Sequence, residues 1–125
     1  MIKEEISLGK INIAKYGECN IKIENLERSV IPHIHIRDSK NETICCIELF
    51  KPKYYRGHND DKHIKLSNSE CEILDYILNQ NAKYFEFMSE WEYAVWHWEA
   101  YENKLDLWSD DYRIPDYTKL RKRKD

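Results

Sequence analysis

Ile31-Pro32-His33-Ile34-His35-Ile36 is the strongest strand signal in the chain. Isoleucines alternate with imidazoles, and Pro32, which has no N–H, marks the start of the strand or an edge position. Side chains alternate along a strand, so His33 and His35 share one face while Ile34 and Ile36 share the other. Same-face neighbours lie about 6.5–7 Å apart, from a rise of about 3.3 Å per residue. Two imidazoles at that spacing can bind one metal ion, or pair a general base with a general acid. The plainer alternative is a half-exposed sheet face on which both rings bond to neighbours.

The partner of this strand follows a cluster of turn formers, Asp38-Ser39-Lys40-Asn41-Glu42. Residues 43–50, Thr-Ile-Cys-Cys-Ile-Glu-Leu-Phe, are nearly continuously apolar. Such a run reads as a central strand covered on both faces, or covered on one and semi-buried on the other. The hairpin register then decides what the imidazoles meet, because a slip of one residue exchanges the faces. With Arg37 opposite Glu42, His35 faces Ile44, His33 faces Cys46 and Ile31 faces Glu48. His33, His35, Cys46 and Glu48 then form a candidate ligand set. With the pairing slipped by one, Cys45, Ile47 and Leu49 stand opposite and the site dissolves into packing.

Upstream, Ile6, Leu8, Ile11 and Ile13 are interrupted by Gly9-Lys10, which predicts one bulged strand or a pair of short ones. Tyr16-Gly17-Glu18 is a turn, and Cys19, Ile21 and Ile23 alternate with polar residues as a half-buried strand. Downstream, residues 51–65 are the longest irregular segment and gather Tyr54, Tyr55, Arg56, His58, Asp60, Asp61 and His63. Long loops on a rigid scaffold often carry function, although a solvated connection explains the same residues.

Two capping boxes announce two helices. Ser67 to Glu70 opens the first, and Ile73, Leu74, Ile77 and Leu78 form its stripe. Ser89 to Glu92 opens the second, which runs to about Asn103. Its stripe is Trp91, Ala94, Val95, Trp98 and Tyr101, while Tyr93, Trp96 and Ala100 fall on nearly the opposite side. A surface helix needs only one apolar stripe, so the second face is a candidate contact, joined by Trp108 and Tyr112 of the tail. The aromatic tail up to Leu120 reads as an extended strap, and Arg121–Asp125 as a frayed basic end.

The chain has 125 residues, which suits a single domain over 1–125. A net charge of -3 provides no basic field for nucleic acid. No run of 18 apolar residues exists to span a membrane, and the first residues lack the apolar core of a signal peptide. Cys19, Cys45, Cys46 and Cys71 show no CxxC spacing and read as free, mostly buried thiols of a cytoplasmic protein. The expected fold is α+β: a mostly antiparallel sheet of four to five strands, two helices packed on one face, and an extended C-terminal strap.

The order Pro32-His33-Ile34-His35, apolar strand, Tyr55-Arg56-Gly57-His58, helix, Trp-rich helix, Pro115-Asp116-Tyr117 resembles a loose group of small bacterial and phage-associated proteins. The resemblance covers about residues 10–120. It implies a compact α+β domain, often encoded on mobile elements, and brings no activity and no catalytic residue.

Two functions compete. The first is a small non-enzymatic interaction protein, such as an inhibitor or accessory factor of a mobile element or phage. It binds a protein partner or itself as a homodimer through Tyr93, Trp96, Ala100, Trp108 and Tyr112, and needs no cofactor. The second is a small histidine-based hydrolase or ribonuclease. There His33 and His35 supply acid and base, Arg56 stabilises phosphate charge, Tyr55 or His58 assists, and the His33, His35, Cys46, Glu48 set serves a metal-dependent version. Nucleic-acid binding through the basic end is disfavoured by the net charge.

Overall fold

Four antiparallel strands form one sheet in the order β1-β2-β3-β4. They are β1 (Glu5–Ile13), β2 (Gly17–Glu24), β3 (His33–Arg37) and β4 (Thr43–Glu48). Two helices follow, α1 (Asn68–Asn79) and α2 (Glu90–Glu102), and then a single 3-10 turn at Tyr117–Lys119. The structure, a computed structural model, describes residues 5–24, 31–102 and 113–120, with the backbone alone for 99–102. The architecture is α+β, with four strands among the described residues, the lower of the expected numbers. Among the described residues no helix is long and apolar enough to cross a membrane.

The alternation read along each strand separates two faces. Ile21, Ile23, Ile34, Ile36, Cys45 and Ile47 are buried in the core, and Ile21 stands opposite Ile36 as Ile34 does opposite Ile47. β1 is one strand with a register shift between Ser7 and Gly9, the bulged form of the two alternatives. Gly9 lies where α1 crosses closely, and a Cβ there would stand 2.9 Å from Ile77 Cγ2. Leu74 and Leu78 of α1 and Trp91, Ala94, Val95 and Trp98 of α2 are buried in this core, and Ile77 packs partly against it. Ile73, expected in the α1 stripe, is 43 % exposed instead, and the Tyr101 side chain lies outside the described residues. Fully burying a Leu or Ile side chain contributes about 1.5–3 kcal/mol, which is why the stripe positions decide the packing.

Both capping boxes form. Glu70 N–H donates to the Ser67 hydroxyl and Ser67 N–H to the Glu70 carboxylate, at 3.3 and 2.8 Å. Ser89 and Glu92 exchange the same pair at 3.0 and 3.1 Å. Glu70 also accepts from Ala14 N–H at 2.8 Å, so the first cap fastens α1 to the end of β1. The strap is anchored by Tyr117, which is fully buried. Its hydroxyl donates to the Leu49 carbonyl at 2.6 Å, and its N–H to Asp75 Oδ1 at 2.9 Å.

β4 is the last strand of the sheet rather than a central one, yet five of its six residues are buried. The 51–65 segment covers its outer edge. Glu48 N–H donates to the Lys53 carbonyl and Tyr55 N–H to the Cys46 carbonyl, both at 2.9 Å. Lys62 and Ile64 N–H then donate to the Thr43 and Ile44 carbonyls at 3.2 and 2.9 Å. A covered edge explains the continuous apolar run without a fifth strand.

Burial pushes the Cys45 thiol and the Tyr54 and Tyr117 phenols above their ordinary ranges. Such groups stay neutral in the fold, while the unfolded chain ionises them from about pH 8.5 for cysteine and about pH 10 for tyrosine. Their folded pKa values are raised, so the stability they contribute is complete below those pH values and lost above them. The loss is up to about 1.4 kcal/mol per pH unit per group. The urea midpoint is expected to fall steadily between pH 9 and 11, and a flat midpoint over that range contradicts these burials.

Candidate metal centre

His33, His35, Cys46 and His58 each offer one ligand atom, and all four atoms lie within 4.8 Å of one another. β3 supplies the two imidazoles and β4 the thiol. The observed register places His33 opposite Glu48 and His35 opposite Cys46, with an irregularity between Ile36 and Arg37. From His33 to Ile36 this differs by two residues from the register that pairs Arg37 with Glu42, while Arg37 itself stands opposite Thr43, one residue away. An even shift keeps the faces, so the imidazoles do share theirs with Cys46.

The first three donors are shut away from water, at 0 % exposure for His33, 2 % for His35 and 1 % for Cys46. The 51–65 segment makes the lid. Tyr55 stacks on His33 with ring centroids 3.9 Å apart and planes 11° from parallel. Gly57 makes room for that ring, because a Cβ there would stand 2.1 Å from the Tyr55 hydroxyl oxygen and 2.4 Å from Cζ. Trp98 of α2 tilts against His33 at 5.6 Å. His58 then closes the group, with its ring 4.9 Å from both His33 and His35.

Local bonding orients the donors. His33 Nδ1 lies 2.8 Å from the Ile31 carbonyl, which can only accept, so Nδ1 carries the proton. Nε2 of the neutral ring is then the lone-pair atom, and it faces His58 Nε2 at 2.8 Å. An imidazole that donates its far N–H to a backbone carbonyl is the usual arrangement of a metal-ligating histidine. Cys46 Sγ sits 3.4 Å from His35 Nδ1. Burial, and then the charge of Asp61, push the Cys46 thiol well above its ordinary range. The Asp61 side chain is wholly buried and accepts from His63 N–H at 2.6 Å.

Of the expected site residues, His33, His35, Tyr55, His58 and Cys46 come together. Glu48 is half-buried and is not one of the four donors; His58 stands in its place. Arg56 is exposed and its guanidinium lies over the Tyr54 ring at 5.7 Å. The signal that would have pointed to His58 is Gly57, which lets an aromatic ring fold back against the chain one residue earlier.

The second candidate surface is separate. On α2, Trp96 is 44 % exposed and stacks on Tyr93 at 6.1 Å. Phe85 and Met88, from the segment between the helices, line a cavity with both. Phe87, 86 % exposed, meets Phe85 edge to face at 5.9 Å. Trp108 and Tyr112 lie outside the described residues, as does the side chain of Ala100. Tyr84, Phe85 and Phe87 escape sequence reading because the 82–88 segment has no helical or strand period.

The chain matches no protein-family model, no curated protein and no solved structure.

Proposed function

We propose that this protein is a transition-metal-binding domain in which His33, His35, Cys46 and His58 hold one zinc ion. The observation that carries this is the convergence of four donor atoms, three of them buried on adjacent strands. A thiolate and imidazoles favour zinc or copper(I) over magnesium, calcium or manganese, which prefer oxygen. Zinc binds nitrogen at about 2.0–2.1 Å and sulfur at about 2.3 Å, so tetrahedral donors stand roughly 3.3–3.7 Å apart. Small side-chain shifts bring the group to that size. Four protein donors make a closed centre, the form that zinc takes in structural sites. The ion would then fasten the 51–65 segment to β3 and β4.

The test is competition for zinc against a chromophoric chelator, using protein first stripped of metal. One equivalent should transfer to the wild-type chain, and Cys46→Ser and His35→Ala should each lose most of the affinity. A wild-type chain that takes no zinc from the chelator overturns the proposal.

A second role is supported by a different surface. Clustered exposed aromatic side chains mark binding sites more often than solvent-facing accidents, and Tyr84, Phe85, Phe87 and Trp96 are such a cluster. This supports a non-enzymatic interaction protein that docks a protein partner or a second copy, in keeping with the resemblance to phage-associated and mobile-element proteins. Trp96→Asp is expected to abolish self-association or partner capture while leaving zinc stoichiometry unchanged. Sedimentation velocity and pull-down measure the two effects, and unchanged mass together with unchanged capture removes the support for this role.

A further inference from the structure

The four donors are held unequally. His33, His35 and Cys46 are fixed by strand pairing and are almost fully buried. His58 is half-buried, with exposed Gly57 and Asn59 on either side. The backbone of its segment bonds to β4 at Tyr55 and again at Lys62, and His58 sits within the span between. Its Nε2 lies 2.8 Å from His33 Nε2, closer than the roughly 3.3 Å of two nitrogens on one tetrahedral ion. His58 must therefore move even to ligate, whereas His33 is clamped between the carbonyl of Ile31 and the stacked ring of Tyr55.

We propose that His58 is an exchangeable ligand, and that the coordination position it vacates admits one small monodentate donor from solvent. This rests on the four-donor centre proposed above. The volume released is that of one imidazole, bounded by the rings of His33, His35 and Tyr55, which lie 4.9, 4.9 and 5.3 Å from His58. It fits azide or imidazole and excludes a large substrate. Three fixed protein ligands with one open position is the form of catalytic zinc sites, where a bound water becomes acidic. The same four residues thus give a closed centre when His58 is in, and a reactive one when it is out.

Cobalt(II) in place of zinc makes the coordination visible. Azide is titrated into the cobalt-loaded wild-type chain, and imidazole into cobalt-loaded His58→Gly and His35→Gly. Azide should shift the visible bands of the wild type. Imidazole should return His58→Gly to wild-type-like bands and leave His35→Gly unrestored, because that position is sealed. Cobalt that binds the wild type but shows bands unmoved by saturating azide overturns the exchange while leaving the four-donor centre standing. Failure of the wild type to bind cobalt overturns the centre and the exchange with it. Should His58→Gly not fold, the azide titration of the wild type decides alone.

Discussion

Zinc is expected to raise the unfolding midpoint of the wild-type chain by roughly ten degrees, and that of Cys46→Ser hardly at all. A ligand that binds only the folded state, at a free concentration a hundred times its dissociation constant, stabilises by about 2.7 kcal/mol. For a chain of 125 residues, 1 kcal/mol moves the midpoint by roughly 4 °C. Serine keeps the shape of Cys46 but offers a poor ligand in place of thiolate, so the loss reports coordination rather than packing. The quantity to compare is the zinc-induced shift within each variant, measured by calorimetry with and without metal. That comparison cancels whatever the substitution does to the metal-free fold. Equal shifts in the two proteins would place the zinc elsewhere.

The second large effect falls on the strap. Tyr117→Ala is expected to lower the unfolding free energy by about 3–5 kcal/mol, the range for removing a buried aromatic side chain. Tyr117 is fully buried, and its hydroxyl donates to the Leu49 carbonyl, which also accepts from Trp91 Nε1 at 2.7 Å. Tyr117→Phe keeps the ring and removes one donor from a carbonyl that retains another, so it should cost only about 0.5–1.5 kcal/mol. Urea unfolding of both variants separates packing from hydrogen bonding. A Tyr117→Ala chain as stable as the wild type would mean that the strap does not belong to the core.

Much of this fold was legible in the residues. The capping boxes at Ser67 and Ser89 name their helix starts because the motif is a local bonding pattern, independent of tertiary context. The alternation of Cys19, Ile21 and Ile23 holds because one face of β2 is core. The β3–β4 register was not legible in full. An irregularity beside Arg37 changes the pairing by one residue within the hairpin, and no single residue there announces it. The even offset between the expected and observed pairing nevertheless keeps Cys46 on the imidazole face. The edge position of β4 was hidden because 51–65 supplies covering that a neighbouring strand would otherwise supply. His58 was visible as a loop histidine, but not as a donor beside His33, since its position depends on how Tyr55 packs against Gly57.

The face of α2 opposite its core stripe follows the same logic. Trp91, Ala94, Val95 and Trp98 are buried as their spacing requires, and Trp96 stands out of the core. Trp98 reaches His33, so the core side of α2 braces the donor group, while the other side carries exposed Trp96, beside the aromatics of the segment that precedes the helix. One helix therefore serves both proposed roles on opposite faces, and substitutions at Trp96 and at the donors should act independently.

X-ray absorption at the zinc edge of the loaded wild-type chain addresses the centre most directly. Three nitrogen scatterers at about 2.0–2.1 Å and one sulfur at about 2.3 Å are the expected shell, with the sulfur lost in Cys46→Ser. A shell of oxygen and nitrogen without sulfur in the wild type would contradict it.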